Sequence, residues 1–109
     1  MTLPSDPTPD TSNGDSGELL IITLYVAGHS LNSLRALTNL KTICQTYFPG
    51  YYQLDIVDIF DDPLRAVKDK VLVTPTLVKT APAPVIRIVG DLRETETVVL
   101  ALQSVGKKS

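Results

Sequence analysis

Val71-Leu72-Val73-Thr74-Pro75-Thr76-Leu77-Val78-Lys79 is the stretch on which the fold of this chain turns. Proline has no N–H to give a ladder, so inside an apolar, β-branched run it belongs at a strand start, an edge or a tight turn, with a cis peptide as one option. Upstream of Thr74 the chain reads as an open βαβ unit. Downstream, Thr76 to Val89 reads as a β-hairpin, and the last segment fits either a helix or a strand. Thr74-Pro75 is the joint between them.

The upstream unit begins with Leu19-Leu20-Ile21-Ile22-Thr23-Leu24-Tyr25-Val26, a run too short for a good helix and rich in β-formers, which suits a central strand buried on both faces. Ala27-Gly28-His29-Ser30 breaks it. Leu34, Leu37, Leu40, Cys44 and Tyr47 then recur at steps of three and four, predicting one apolar face of a helix of about four turns. Ser30 or Asn32 supplies its N-cap, and Phe48-Pro49-Gly50 stops it. Tyr51 to Ile59 is a second strand, so the unit implies a right-handed parallel crossover. Asp62 before Pro63 marks the start of a short second helix.

Beyond the joint, Thr76 to Thr80 and Val85 to Val89 flank Ala81-Pro82-Ala83-Pro84, an antiparallel hairpin with a proline-stiffened link. Asp91 and Glu94 have capping-box spacing, and Val98, Leu102 and Val105 keep helical spacing up to Gly106. Thr97 to Leu102 is equally acceptable as a buried strand, since short apolar runs do not reveal their own secondary structure. With a final helix the order is β-α-β-α-β-β-α, an α/β, thioredoxin-like arrangement.

The 109 residues suffice for one hydrophobic core; 43% are apolar and 20% charged, as in ordinary globular proteins. A net charge of −2 offers no electrostatic case for nucleic acid or an anionic membrane, and no apolar run is long enough to span a bilayer. Residues 1–17, with Pro4, Pro7, Pro9, Gly14 and Gly17 among polar groups, are expected to be a disordered tail rather than a secretory signal. The domain spans 18–106, and 107–109 form a short basic end. Cys44, the single cysteine, cannot form an internal disulfide, which makes a reducing cytoplasm the default.

Chemistry is sparse in this pattern. A thioredoxin-type nucleophile would stand between the first strand and helix, where a helix N-terminus lowers a thiol pKa, yet residues 27–32 hold no cysteine and Cys44 falls on the helix's apolar face. His29, next to Ser30, lacks a visible orienting group. Asp55 and Asp58 point to opposite faces of a strand, and Asp62 serves better as a cap than as a metal ligand. No glycine pattern cradles phosphate. Catalytic, cofactor and metal sites are therefore all expected to be absent. The basic residues Arg35, Lys41, Arg65, Lys68, Lys70, Lys79, Arg87 and Arg93 are scattered, which reads as solvated surface or a protein-binding face.

Leu24-Tyr25-Val26-Ala27-Gly28, Asn32 to Leu37, Asp62-Pro63 with Asp69-Lys70, Val73 to Leu77, and Pro84 through Arg87 to Gly90-Asp91-Leu92 together resemble the KaiB family of the cyanobacterial circadian clock, in order and spacing. The resemblance implies no catalysis. It implies two folds sharing the first βαβ unit: a ground state, typically a homotetramer, and a rare thioredoxin-like monomer that binds a KaiC-like ATPase. In that complex the monomer displaces the thioredoxin-like domain of a histidine kinase and recruits KaiA. Carried to matching positions, partner contacts fall on Arg35, Phe60, Asp62, Pro63 and Arg87, and the switch on Thr74, Pro75, Gly90 and Asp91. Gly90→Ala or Asp91→Arg would favour the thioredoxin-like monomer. Ser30-Leu31 stands where the family usually has Thr-Pro; Asp61 and Ile86 stand where basic residues are common. Those departures point to a divergent relative with its own KaiC-like partner. A glutathione- or peptide-binding module using Ser30 and the backbone beside Pro75, or a stress-related holdase, are the competing readings.

Overall fold

The computed structural model describes residues 19–103; the expected tail over 1–17, Val105, Gly106 and the basic end at 107–109 lie outside them. Four strands and three helices follow the predicted order: β1 (Leu20–Val26), α1 (Leu31–Tyr47), β2 (Tyr52–Asp58), α2 (Pro63–Lys68), β3 (Thr76–Ala81), β4 (Ile86–Val89) and α3 (Thr95–Gln103). The sheet order is β2-β1-β3-β4, with β1 parallel to β2 and the other pairs antiparallel. β1 is central, in keeping with its near-continuous apolar run, and both of its faces are covered.

Strand alternation divides the core. Leu20, Ile22, Leu24 and Val26 of β1 and Leu77 of β3 meet Ala36, Leu40, Ile43 and Cys44 of α1 and Val98, Val99 and Leu102 of α3 on one face. On the other, Tyr25, Val57 and Val78 meet only Ala66 of α2, with Ile59 and Val71 at the margin. Residues 97–102 are helical because α3 has to cover that larger cluster beside α1, a tertiary demand a six-residue pattern cannot express.

Three expectations need correction. The buried seam of α1 is Ser33, Ala36, Leu40, Ile43 and Cys44, whereas Leu34 and Tyr47 are 43% and 49% exposed. Ser33 can be buried because its hydroxyl accepts from the Ala27 N–H at 3.1 Å and from the Ser30 hydroxyl at 2.8 Å. Lys79 is fully buried rather than solvated, opposite Ile22 in the β1–β3 register and on the same side of β3 as Leu77. The Asp91–Glu94 capping box does not form. Leu92 is buried with a left-handed φ of 64°, so the chain bends there, and α3 starts only at Thr95. Burying leucine, worth about 1.5–3 kcal/mol, outweighs the strain of about 1–2 kcal/mol that a left-handed residue brings.

The joint behaves as expected. Thr74-Pro75 is cis, as are Ala81-Pro82 and Ala83-Pro84, and β3 opens right after Pro75.

Candidate docking surface

α2 is the element that positions the candidate surface. Asp62 caps it, its carboxylate accepting from the Arg65 N–H at 3.4 Å, and Pro63 stands in the first turn, where its missing N–H is not needed. The approach to the helix is built by Asp58, whose Oδ1 accepts from the Gly28 N–H at 3.1 Å and the Phe60 N–H at 2.9 Å. Gly28 has φ +58°, and a Cβ there would lie 3.5 Å from the Phe60 ring. Phe60 thus rests against the β1–α1 loop yet stays 73% exposed. Arg65 pairs with Asp55 at 2.7 Å on the surface, and the carboxylate's hydrogen bond raises the guanidinium's pKa further.

At six residues α2 can bury only Ala66. Leu64 and Val67, three apart and so on one face, are left 77% and 71% exposed, and Leu72 beyond the helix is 92% exposed. The sequence places apolar residues behind Pro63, and the shortness of the helix is the one sign there that they face outward. Beside this face, Gly28, His29, Leu34, Ile56, Asp58 and Asp61 line a hollow of about 370 Å³. Among the described residues no group of three or more His, Cys, Asp or Glu side chains could hold a metal ion.

The far end of α2 is tied to the sheet. Val71 N–H donates to Ala66 O at 2.8 Å and Lys70 N–H to Val67 O at 3.0 Å, the double closure of a Schellman turn, with Lys70 left-handed at φ 58° where glycine is usual. The Arg87 guanidinium, from β4, donates to the carbonyls of Asp69 and of Lys70, the latter at 3.3 Å. Underneath, the buried Tyr25 hydroxyl donates to the Asp69 carboxylate. Burial first, then that bond, pushes the phenol up to about 12.

Of the expected contact residues, the structure groups Phe60, Asp62 and Pro63 at the start of α2 and puts Arg87 at its end. Arg35 is apart, exposed on α1, where its charge reaches Asp91. The expected switch residues converge. Gly90 N–H donates to Pro75 O at 3.0 Å, the Thr76 hydroxyl donates to Val73 O at 2.7 Å, and Asn39 Nδ2 donates to Asp91 O at 2.7 Å. The Asp91 carboxyl lies below its usual range through its bonds to Arg93. Gly90 has φ +118°, a backbone conformation that strains any residue but glycine.

The features a thiol enzyme would need are differently used. Ser30 Oγ accepts from the Ser33 N–H at 3.2 Å as the cap of α1, and Cys44 is fully buried, its thiol pushed up to about 11 by desolvation.

Solved structures of similar shape include the N-terminal domain of Synechococcus elongatus SasA, at TM-score 0.69 and 22% identity over 96% of this chain and 97% of that one. Mitochondrial thioredoxin 3 of Saccharomyces cerevisiae gives TM-score 0.65 and 16% identity over 79% and 78%. These identities speak for a thioredoxin-like fold only. The sequence carries more. The circadian clock oscillator protein KaiB of Prochlorococcus marinus is 51% identical over 82 residues, covering 75% of this chain and 70% of its own. That of Synechococcus elongatus is 49% identical over the same length, covering 75% and 80%. The KaiB domain model matches residues 23–104, from the middle of β1 to just past α3. The chain therefore belongs to the KaiB family.

Proposed function

We propose that this protein is a non-enzymatic, clock-type regulator that docks on a KaiC-like ATPase and modulates its phosphorylation or ATPase state, with a change of fold in its second half as the control. Its relatives are circadian clock oscillator proteins. The observation that carries the docking is the outward face of α2. Leu64 and Val67 are over 70% exposed and contribute nothing to the chain's own core, whereas burial against a partner yields about 1.5–3 kcal/mol for each such side chain. Phe60, Asp62 and Pro63 extend that face, Arg35 is a charged contact, and Arg87 stands at the far end of α2.

For the change of fold, the support is the junction where Thr74, Pro75, Gly90 and Asp91 meet, together with residues 97–102, whose pattern suits a strand as well as the helix they form. Two packings a few kcal/mol apart are enough for a partner to select one. A homotetramer exchanging with a monomer in the cytoplasm is the corresponding free state. A KaiA-like protein is a further partner, and a histidine kinase with a domain of the same fold is a competitor; the likeness in fold to the SasA domain supports the latter.

Co-purification against KaiC-like ATPases from the same cell, with size-exclusion of the free protein, tests this. The wild-type chain is captured by one ring-forming ATPase, and Leu64→Glu and Val67→Glu abolish capture with unchanged circular dichroism. Capture of the variants at wild-type levels, or of the wild type by no such ATPase, refutes the reading.

A further inference from the structure

Nothing inside α2 accounts for how it is held. Its six residues are too few to be stable alone, and one alanine is all it buries. Its C-terminal turn, moreover, places Lys70 in a left-handed conformation that glycine adopts freely and lysine does not. The last carbonyls of a helix carry the negative end of its dipole and lack partners within the helix. Here the carbonyl of the C-cap, Asp69, and that of Lys70 in the turn just beyond it accept from one guanidinium supplied by β4, while Tyr25 in β1 holds the Asp69 side chain from below.

We propose that Arg87 is a positioning residue for α2: it acts on the docking face through the helix's C-terminal turn, bracing a strained Schellman turn from the neighbouring sheet. This rests on the reading of α2 as a docking face, and goes beyond it by giving Arg87 a part other than direct contact. A guanidinium suits the task because its fork reaches two carbonyls at once. The arrangement also makes β4 and α2 one unit, so that whatever displaces Arg87 loosens the helix.

Residue-resolved amide hydrogen exchange on the full chain tests the proposal. In Arg87→Ala the amides of Asp69, Lys70 and Val71, which close α2, exchange roughly tenfold faster, the loss expected for a charge-assisted hydrogen bond, while those of α1 and β1 are unchanged. Tyr25→Phe accelerates the same amides. Arg87→Lys retains an intermediate rate. Adding Lys70→Gly to Arg87→Ala restores protection, because the turn then needs no outside support. Unchanged exchange in Arg87→Ala, or no rescue by Lys70→Gly, overturns the proposal; so does faster exchange spread evenly over β3, β4 and α3, which would mark a change of global fold.

Capture by the KaiC-like ring separates the two roles of Arg87. If it acts through α2, the double variant regains capture; if protection returns without capture, Arg87 touches the partner directly and the proposal fails. Should the wild-type chain be captured by no ring, the functional reading falls while the exchange rates still decide the positioning.

Discussion

Replacing Gly90 with alanine isolates a single physical effect. The new Cβ would meet nothing within 4 Å, so no packing changes, and the N–H that donates to Pro75 O at 3.0 Å is retained. What changes is the backbone. At φ +118° an L-residue is outside both the right-handed and the compact left-handed regions, a conformation costing of order 1–3 kcal/mol for anything but glycine. That is roughly a 5- to 150-fold loss in the population of this arrangement. In urea, with a slope of about 1–3 kcal/mol per molar for a small domain, the midpoint falls by on the order of 1 M at unchanged slope. D-alanine at the same position, introduced by chemical ligation, keeps the Cβ but prefers positive φ, and holds the midpoint at or above that of the wild type. An L-alanine variant as stable as the wild type, or both enantiomers equally destabilising, would refute the reasoning and remove the backbone from the account of this junction.

Two further outcomes follow from the buried groups. Cys44, fully buried with its thiol pushed up to about 11, reacts with a thiol reagent at neutral pH only as fast as the domain opens, so its labelling rate tracks stability across variants; rapid labelling of the native chain would contradict its place in the core. Tyr25 has an ordinary unfolded value near 10 and a folded one near 12, so the folded state prefers the neutral phenol. Its contribution is intact below about pH 10 and is lost as pH rises through about 12. Alkaline unfolding therefore steepens between those values in the wild type and flattens in Tyr25→Phe; identical profiles would show that the phenol does not titrate with folding.

The KaiB resemblance and the thioredoxin-like order were legible because they rest on local words in fixed spacing, such as Leu24 to Gly28 and Val73 to Leu77. The candidate surface was legible only at its entry. Asp62-Pro63 announces a helix start through its own chemistry, and Phe60 came with the family pattern. Leu64, Val67 and Leu72 carry no such mark, because an apolar residue in a sequence reads as core until its surroundings show that nothing covers it. Arg87 belongs to the family pattern, but its hold on the Asp69 and Lys70 carbonyls joins residues seventeen or more apart in sequence, and no spacing rule reports that.

By itself the sequence determined the elements whose causes lie within a few residues: the run of β1, the Ser30 cap of α1, the Asp62-Pro63 opening of α2 and the proline that delays β3 until Thr76. Only the tertiary structure decided which side of α1 is buried, that Leu92 turns inward and displaces the start of α3, that residues 97–102 form a helix, and that Lys79 lies within the fold. Caps and prolines act through bonds to near neighbours, which the chain carries wherever it goes. Burial depends on what the sheet brings alongside, and that is set only when all four strands are in place.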